Sequence, residues 1–189
     1  MTDKTDVIPT KIIWLDLEMT GLDPTQDVIL EVAAEITDFN LKTLETYEAR
    51  VKQDHAKVVE RMQKNVWWTN YPANRDEFLR NNGEAKTIKE VEREMLELVN
   101  NHFGDELAIL GGNSIYNDRT FIKKGMPTLD LKLHYRMLDV SAWKVLMQGK
   151  YGVVYEKNNS HRAFDDIQAS IAELQYYLDW FRKNGPQDG

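Results

Sequence analysis

Apolar positions follow two rhythms along this chain. From Lys11 to Lys52, the stretches KIIWLDLE, DVILEVAAEITDF and LETYEARVK are rich in Val, Ile, Tyr and Thr and are separated by short polar turns, the pattern of strands. The first is apolar at nearly every position up to Asp16, as a central strand covered on both faces would be. Between Ala56 and Gly83 the pattern loosens, with short helical pieces around Trp67, Trp68 and Tyr71-Pro72. After Thr87 the spacing becomes helical: Ile88, Val91, Met95, Leu98 and Val99 recur with charges between them, which predicts an amphipathic helix. Leu107–Gly111 reads as a short buried strand, and Asn117–Lys124 as a helix stopped by Gly125 and Pro127. Arg136–Val140 reads as a further strand leading into a helix from Ser141, and a last helix runs from about Arg162 to Lys183. Three strands joined by short turns predict an antiparallel meander, and helices alternating with strands follow it. The expectation is one α/β domain over 11–184, built on a mixed five-stranded sheet flanked by helices, after a polar lead-in over 1–10.

Composition narrows the picture. A chain of 189 residues with 42% hydrophobic content suits one folded domain. There are no cysteines, so disulfides and thiolate chemistry are excluded, and a reducing, cytoplasmic setting is expected. No apolar stretch is long enough to span a bilayer, and MTDKTDVIPTK lacks the apolar region of a signal peptide. The net charge of −7 argues against a broad basic grip on long nucleic acid. A short nucleic-acid substrate remains compatible, because bound cations can hold phosphate in an acidic protein.

The candidate chemistry lies in three separated blocks. Asp16-Leu17-Glu18 ends the first apolar run, Asp118 lies in GNSIYNDRTF, and His161 and Asp166 lie in HRAFDDI. Residues two apart on a strand share a face, so Asp16 and Glu18 place two like charges together. A divalent cation between them is the usual resolution, and oxygen-only ligands without cysteine favour Mg²⁺ or Mn²⁺. Asp118 alone could simply favour a helix N-terminus, as could Asp165 and Asp166. The combination is far more specific than any one member.

The order Asp-x-Glu, then Asp, then His-x-x-x-x-Asp resembles the DEDDh 3′→5′ exonucleases, a group with the RNase H-like fold. Within that group the strings WLDLEMTGLDP, GNSIYNDRTF, HYRMLDVSAWK and HRAFDDIQASIAELQYY are similar to those of the oligoribonucleases. The resemblance implies Asp16, Glu18, Asp118 and Asp166 as ligands of two Mg²⁺ or Mn²⁺ ions and His161 as general base, with Asp165 only a neighbour. It implies 3′→5′ hydrolysis of RNA of about two to five nucleotides to 5′-mononucleotides. Phosphodiester hydrolysis fits that set: two cations ~3.5–4 Å apart activate water and stabilise the leaving oxygen, and a histidine with an ordinary pKa near ~6.5 takes the proton. The resemblance further implies Leu22, Ser114, Tyr135, Arg136 and Ser141 as substrate contacts, and a homodimer in which Tyr135 reaches the neighbouring subunit's substrate.

The chain departs from the oligoribonuclease pattern around Val58 to Gly83. A tryptophan and a histidine expected there are replaced by Asn65 and Asn70, and a tryptophan pair stands at Trp67 and Trp68. Ala142 replaces an expected threonine, and the stretch from Lys150 to Ser160 is shorter than usual. Trp67, Trp68 and Tyr71 are candidates for base stacking or for the core. Two rival readings follow: an exonuclease of the same group acting on longer RNA or single-stranded DNA, and a binding module that has kept the fold without catalysis. Gly111-Gly112-Asn113 lacks the spacing of a dinucleotide fingerprint.

Overall fold

The computed structural model describes residues 10–156 and 162–185. A five-stranded sheet is flanked by helices, as expected. β1 (Lys11–Met19), β2 (Ile29–Asp38) and β3 (Thr43–Arg50) form the antiparallel meander, and β4 (Ala108–Gly112) and β5 (Leu133–Asp139) complete the sheet. The strand order is β3-β2-β1-β4-β5. β1 pairs antiparallel with β2 and parallel with β4, and β4 pairs parallel with β5. β1 is therefore the central strand, and Ile12 to Leu15 are buried.

The two faces of β1 serve different layers. Ile13, Leu15 and Leu17 pack with Val91, Met95 and Val99 of α4 (Ile88–Phe103) and with Ile122 of α5 (Tyr116–Gly125). Ile12 and Trp14 pack on the opposite face with Ile167, Leu174 and Tyr177 of α8 (Ala163–Asn184) and with Met147 of α7 (Val140–Tyr151). Alternation then puts Asp16 and Glu18 on the α8 face. The Trp14 indole N–H donates to Thr37 Oγ1 at 2.9 Å, which satisfies the ring's polar atom inside that layer.

The helix opened by Thr87 begins with a capping box: the Thr87 hydroxyl accepts from the Glu90 N–H while the Glu90 carboxylate accepts from the Thr87 N–H. The stretch that loosens in the sequence is more regular than expected. It forms α1 (His55–Lys64), α2 (Val66–Asn70) and α3 (Pro72–Asn81), which bury Val58, Met62, Trp68 and Phe78 against Leu30. Its helices are short and broken by Asn65 and Pro72, so no single long period is visible. β5 starts at Leu133, three residues ahead of the expected strand. Pro127 does not only stop α5; it opens a short helix, α6 (Pro127–Asp130), as proline does at a first helical position.

β4 ends where space is tight. A Cβ at Gly112 would stand 2.8 Å from Ile115 Cδ1 and 2.9 Å from the Leu15 carbonyl oxygen. Only glycine lets the β4 backbone lie so close to β1. Gly112→Ala is expected to cost about 1–3 kcal/mol in urea unfolding, the usual penalty of overpacking. Gly83→Ala, where a Cβ meets nothing within 4 Å, should leave stability unchanged or slightly raised. Equal midpoints for the two variants would show that the β1–β4 spacing is not set by this contact.

Candidate active site

Asp16 and Glu18 leave β1 at the end of the sheet where the parallel strands β1, β4 and β5 finish. The register breaks between Glu18 and Met19, so the strand's pairing ends as the second acid is presented. Asp166 reaches the same place from the first turn of α8. Ligand oxygens of Asp16, Glu18 and Asp166 all lie within 4.8 Å of one another. Asp165, by contrast, is exposed.

Asp118 sits in the first turn of α5 and is buried. Its Oδ1 accepts the backbone N–H of Leu17, between the two β1 acids, at 3.0 Å. The three oxygens drawn closest together therefore belong to Asp16, Glu18 and Asp166, while Asp118 grips the strand that carries two of them. His161 lies outside the described residues.

The electrostatics of this cluster are unfavourable without a cation. Burial pushes Glu18 up from 4.5 to about 8, reinforced by the negative charges of Asp166, Glu31 and Asp118 and opposed by Arg162. Burial also raises Asp118, against the lowering effect of its backbone hydrogen bonds. A carboxyl held up in this way beside two further carboxylates is suited to a hard divalent cation, which would neutralise the group and displace the Glu18 proton.

A cavity of about 310 Å³ opens beside Glu18, lined by Met19, Gly21, Leu22, Asn65 and Trp67 among others. Leu22 is 72% exposed at the tip of the turn after β1. That turn is held from within. The buried Asp27 carboxylate accepts from the Thr20 hydroxyl (2.9 Å), the Asp23 N–H (3.0 Å) and the Arg61 guanidinium (2.8 Å). A Cβ at Gly21 would meet that carboxylate at 2.5 Å, so the close approach requires glycine. The Asn65 amide and the Trp68 indole both donate to the Thr20 carbonyl, at 3.1 and 3.0 Å.

The aromatic cluster thus divides. Both tryptophans border the cavity, but Trp68 is buried in the core, whereas Trp67 is only partly buried and has Tyr71 against it at a centroid distance of 4.6 Å. Asn65 was noticed in the sequence only as a replacement. Its position between two helical pieces is the one signal that could have marked it as a cap, since it closes α1 and caps α2 by accepting from the Trp67 N–H.

Ser114 and Ser141 come together at the ends of β4 and β5. Their hydroxyl oxygens are 3.0 Å apart, and the Ser114 N–H donates to Ser141 Oγ (2.9 Å) and Asp139 Oδ1 (3.0 Å). Ser114 adopts a φ of 51°, a conformation rarely taken by a residue with a side chain. Asp139 and Asn113, neither singled out in the sequence, organise the pair: Asp139 also accepts the Ser141 N–H, and the Ser141 hydroxyl donates to Asn113.

Tyr135 and Arg136 stand apart from the cavity beside Glu18. Both are exposed on β5, an edge strand. Tyr135 lines a separate groove of about 340 Å³ with Tyr116, Lys123 and Met137. Arg136 borders another hollow with Phe39 and His134.

A mixed sheet that gathers acids at the ends of its parallel strands is the frame of a metal-dependent nuclease, and the comparisons agree. Residues 13–174 match the family model described as Exonuclease. The chain belongs to that exonuclease family and, within it, to the oligoribonucleases. It is 44% identical over 173 residues to an oligoribonuclease of Corynebacterium glutamicum, covering 88% of this chain and 78% of the relative. It is 38% identical over 175 residues to a probable oligoribonuclease of Caenorhabditis elegans, covering 91% and 89%. The fold is also similar to Exonuclease I of Escherichia coli in complex with a dT13 oligonucleotide, with a TM-score of 0.63 at 12% identity. That match covers 92% of this chain and 42% of the other, and it bears on the fold alone. The class is that of 3′→5′ exoribonucleases. No helix among the described residues is long and apolar enough to cross a membrane.

Glu18 predicts a pH dependence for the metal-free protein. Its folded pKa of about 8 exceeds the ordinary 4.5, so between those values the folded state keeps a proton that the unfolded chain has released. Its stabilising contribution is complete below pH 4.5 and is lost as pH rises toward 8. In chelator, the melting temperature should therefore fall across that window, and Mn²⁺ or Mg²⁺ should reduce the fall. A pH-independent difference between metal-free and metal-loaded melts would show that the acids are already ionised.

Proposed function

We propose that this protein hydrolyses short oligoribonucleotides from the 3′ end to 5′-mononucleotides, using two divalent cations held by Asp16, Glu18, Asp118 and Asp166. The observation that carries the reading is the convergence of Asp16, Glu18 and Asp166 from β1 and α8, with their oxygens within 4.8 Å, in a chain whose relatives are named oligoribonucleases. The cations are Mg²⁺ or Mn²⁺, the ions suited to an all-oxygen set; when bound, they neutralise phosphate charge and acidify the attacking water.

The chain's own groups do the rest. His161 takes the proton of the attacking water and returns it to solvent; the new bond joins water oxygen to phosphorus, the P–O3′ bond breaks, and the leaving 3′-oxygen takes a proton from solvent water. Leu22 and Trp67 line the cavity beside Glu18 and offer apolar faces to the bases. The Ser114 and Ser141 hydroxyls present a polar pair to a phosphate oxygen, and Arg136 supplies the cation at the substrate's far end. Chains of two to five nucleotides are the preferred substrates. The protein acts in the cytoplasm.

The enzyme works as a homodimer with composite sites. Tyr135 is 58% exposed on an open strand edge and lies outside the cavity beside Glu18, so its aromatic face serves a neighbour. Its ring stacks on His134 at 4.6 Å and carries the Arg136 guanidinium at 5.0 Å, which presents an ordered group to a partner. A ligand of a few nucleotides offers little area for binding, and a second subunit encloses it.

The direct test compares hydrolysis of labelled oligoribonucleotides from dimer to heptamer, with Mg²⁺, Mn²⁺ or chelator. Turnover should require metal and be fastest on the shortest chains; preference for long RNA or single-stranded DNA would favour the rival exonuclease reading. His161→Asn should slow the chemical step by roughly 10²–10⁴, the usual worth of a general base, while Mn²⁺ binding persists. Restoration of the rate by extra metal would make His161 a ligand instead. For the dimer, Asp16→Asn and Tyr135→Ala proteins are mixed after subunit exchange. Activity on dinucleotides should reappear in the mixed pair. No recovery despite proven exchange removes the composite site.

A further inference from the structure

β2 carries an unusual load for a buried strand. Across the β1–β2 register, Glu18 stands opposite Glu31, so Glu31 points to the same face. It is only 3% exposed, and a carboxylate so deep needs partners. It has them on α8. Its Oε1 accepts from Arg162 Nη2 at 2.8 Å, and its Oε2 accepts from Arg162 Nε and the Ala163 N–H, each at 3.4 Å. Glu77 of α3 accepts from Arg162 Nη1 at 3.1 Å and pairs with Arg50 of β3. Arg50 Nε stands 3.8 Å from Glu31. Two arginines and two glutamates thus join β2, β3 and α3 to the start of α8.

The start of α8 otherwise has no side-chain cap: Arg162 is its N-cap residue and makes no capping hydrogen bond of its own. The role falls to a residue 131 positions earlier. Helix N–H groups left without an acceptor are costly when buried, and Glu31 supplies one to the Ala163 N–H while holding the Arg162 guanidinium. The link to the site is one bond long, because the Arg162 carbonyl accepts the Asp166 N–H at 3.0 Å. Asp166 is the acid that α8 brings to Asp16 and Glu18.

We infer that Glu31 is a positioning residue: through Arg162 and the first turn of α8 it sets where Asp166 meets the β1 acids. This rests on the reading of that cluster as the metal site. Glu31 is not a ligand in this account, since its oxygens are already committed to Arg162 and Ala163. Glu77 and Arg50 hold Arg162 from the far side and tie the α3 segment to the same geometry.

Mn²⁺ titration of the chelator-treated full-length protein, read by calorimetry, tests this without turnover, and dinucleotide kinetics are measured beside it. Glu31→Gln keeps the shape of the side chain and removes its charge. It should weaken Mn²⁺ binding and lower kcat by about 10- to 100-fold, the usual effect of losing a group that orients metal ligands, with KM changed less than about twofold. Arg162→Met should do the same, and the double variant should be no worse than the weaker single, because both act through one contact. Should Glu31→Gln fail to fold, Arg162→Met carries the test alone, its side chain being partly exposed. Asp166→Asn separates the two claims. Mn²⁺ affinity unchanged in Asp166→Asn overturns the metal-site reading. Affinity lost in Asp166→Asn but normal in both Glu31→Gln and Arg162→Met overturns the positioning role alone, as would additive losses in the double variant.

Discussion

Mutual repulsion among closely grouped, partly buried carboxylates is the constraint that the rest of this structure answers. Asp16, Glu18 and Asp166 come within a few ångströms of one another, and burial together with the neighbouring negative charges disfavours the charged form of Glu18. Such a group persists only where rigid elements over-determine it. β1 supplies two acids from the middle of the sheet, held by neighbours on both sides. Asp118 fastens that strand through the Leu17 N–H. α8 supplies the third acid from a helix start anchored to β2. A cation then finds an assembled set of oxygens and pays little to organise them.

Around that centre, the parts that face substrate are built on a different plan. The turn carrying Leu22 has an exposed tip, but its interior is fixed by Asp27, Arg61, Asn65 and Trp68. The serine pair at the ends of β4 and β5 is fixed by Asp139 and Asn113. In both places a group that could touch RNA is exposed while its supports are partly or fully buried. Such supports hold a loop to the accuracy that chemistry on a small ligand needs. The segment where this chain departs from the oligoribonuclease pattern contributes three of them, Arg61, Asn65 and Trp68. Its replaced residues therefore shape the cavity from behind as well as from its wall.

Much of this was legible in the sequence because the informative signals are local. An apolar run ending Asp-x-Glu identifies a central strand and a shared face within eight residues, and Thr87 with Glu90 announces a helix start. The resemblance added roles that spacing alone left open, notably for Asp118 and His161. What stayed hidden depends on distant pairing. The three short helices over 55–81 bury single residues such as Val58 and Phe78, which gives no sustained period. The first residues of β5 include the exposed Tyr135, so the strand reads as beginning later. Glu31 looks like an ordinary polar interruption in an apolar strand, and nothing near it in the chain reveals that Arg162 is its partner.

The alternation along β1 carries a further consequence. Odd-numbered positions belong to the layer of α4 and α5, and even-numbered ones to the layer of α8, so the clustered acids share their parity with Ile12 and Trp14 and oppose that of Ile13, Leu15 and Leu17. Losing or gaining a single residue between Trp14 and Asp16 would shift the end of the strand by one face, sending Asp16 and Glu18 toward the α4 layer and Leu17 to the α8 face. A change of two residues would keep the faces but slide the acids relative to Asp166. The strand thus tolerates changes of side chain more readily than changes of length, because its length fixes which layer each position faces.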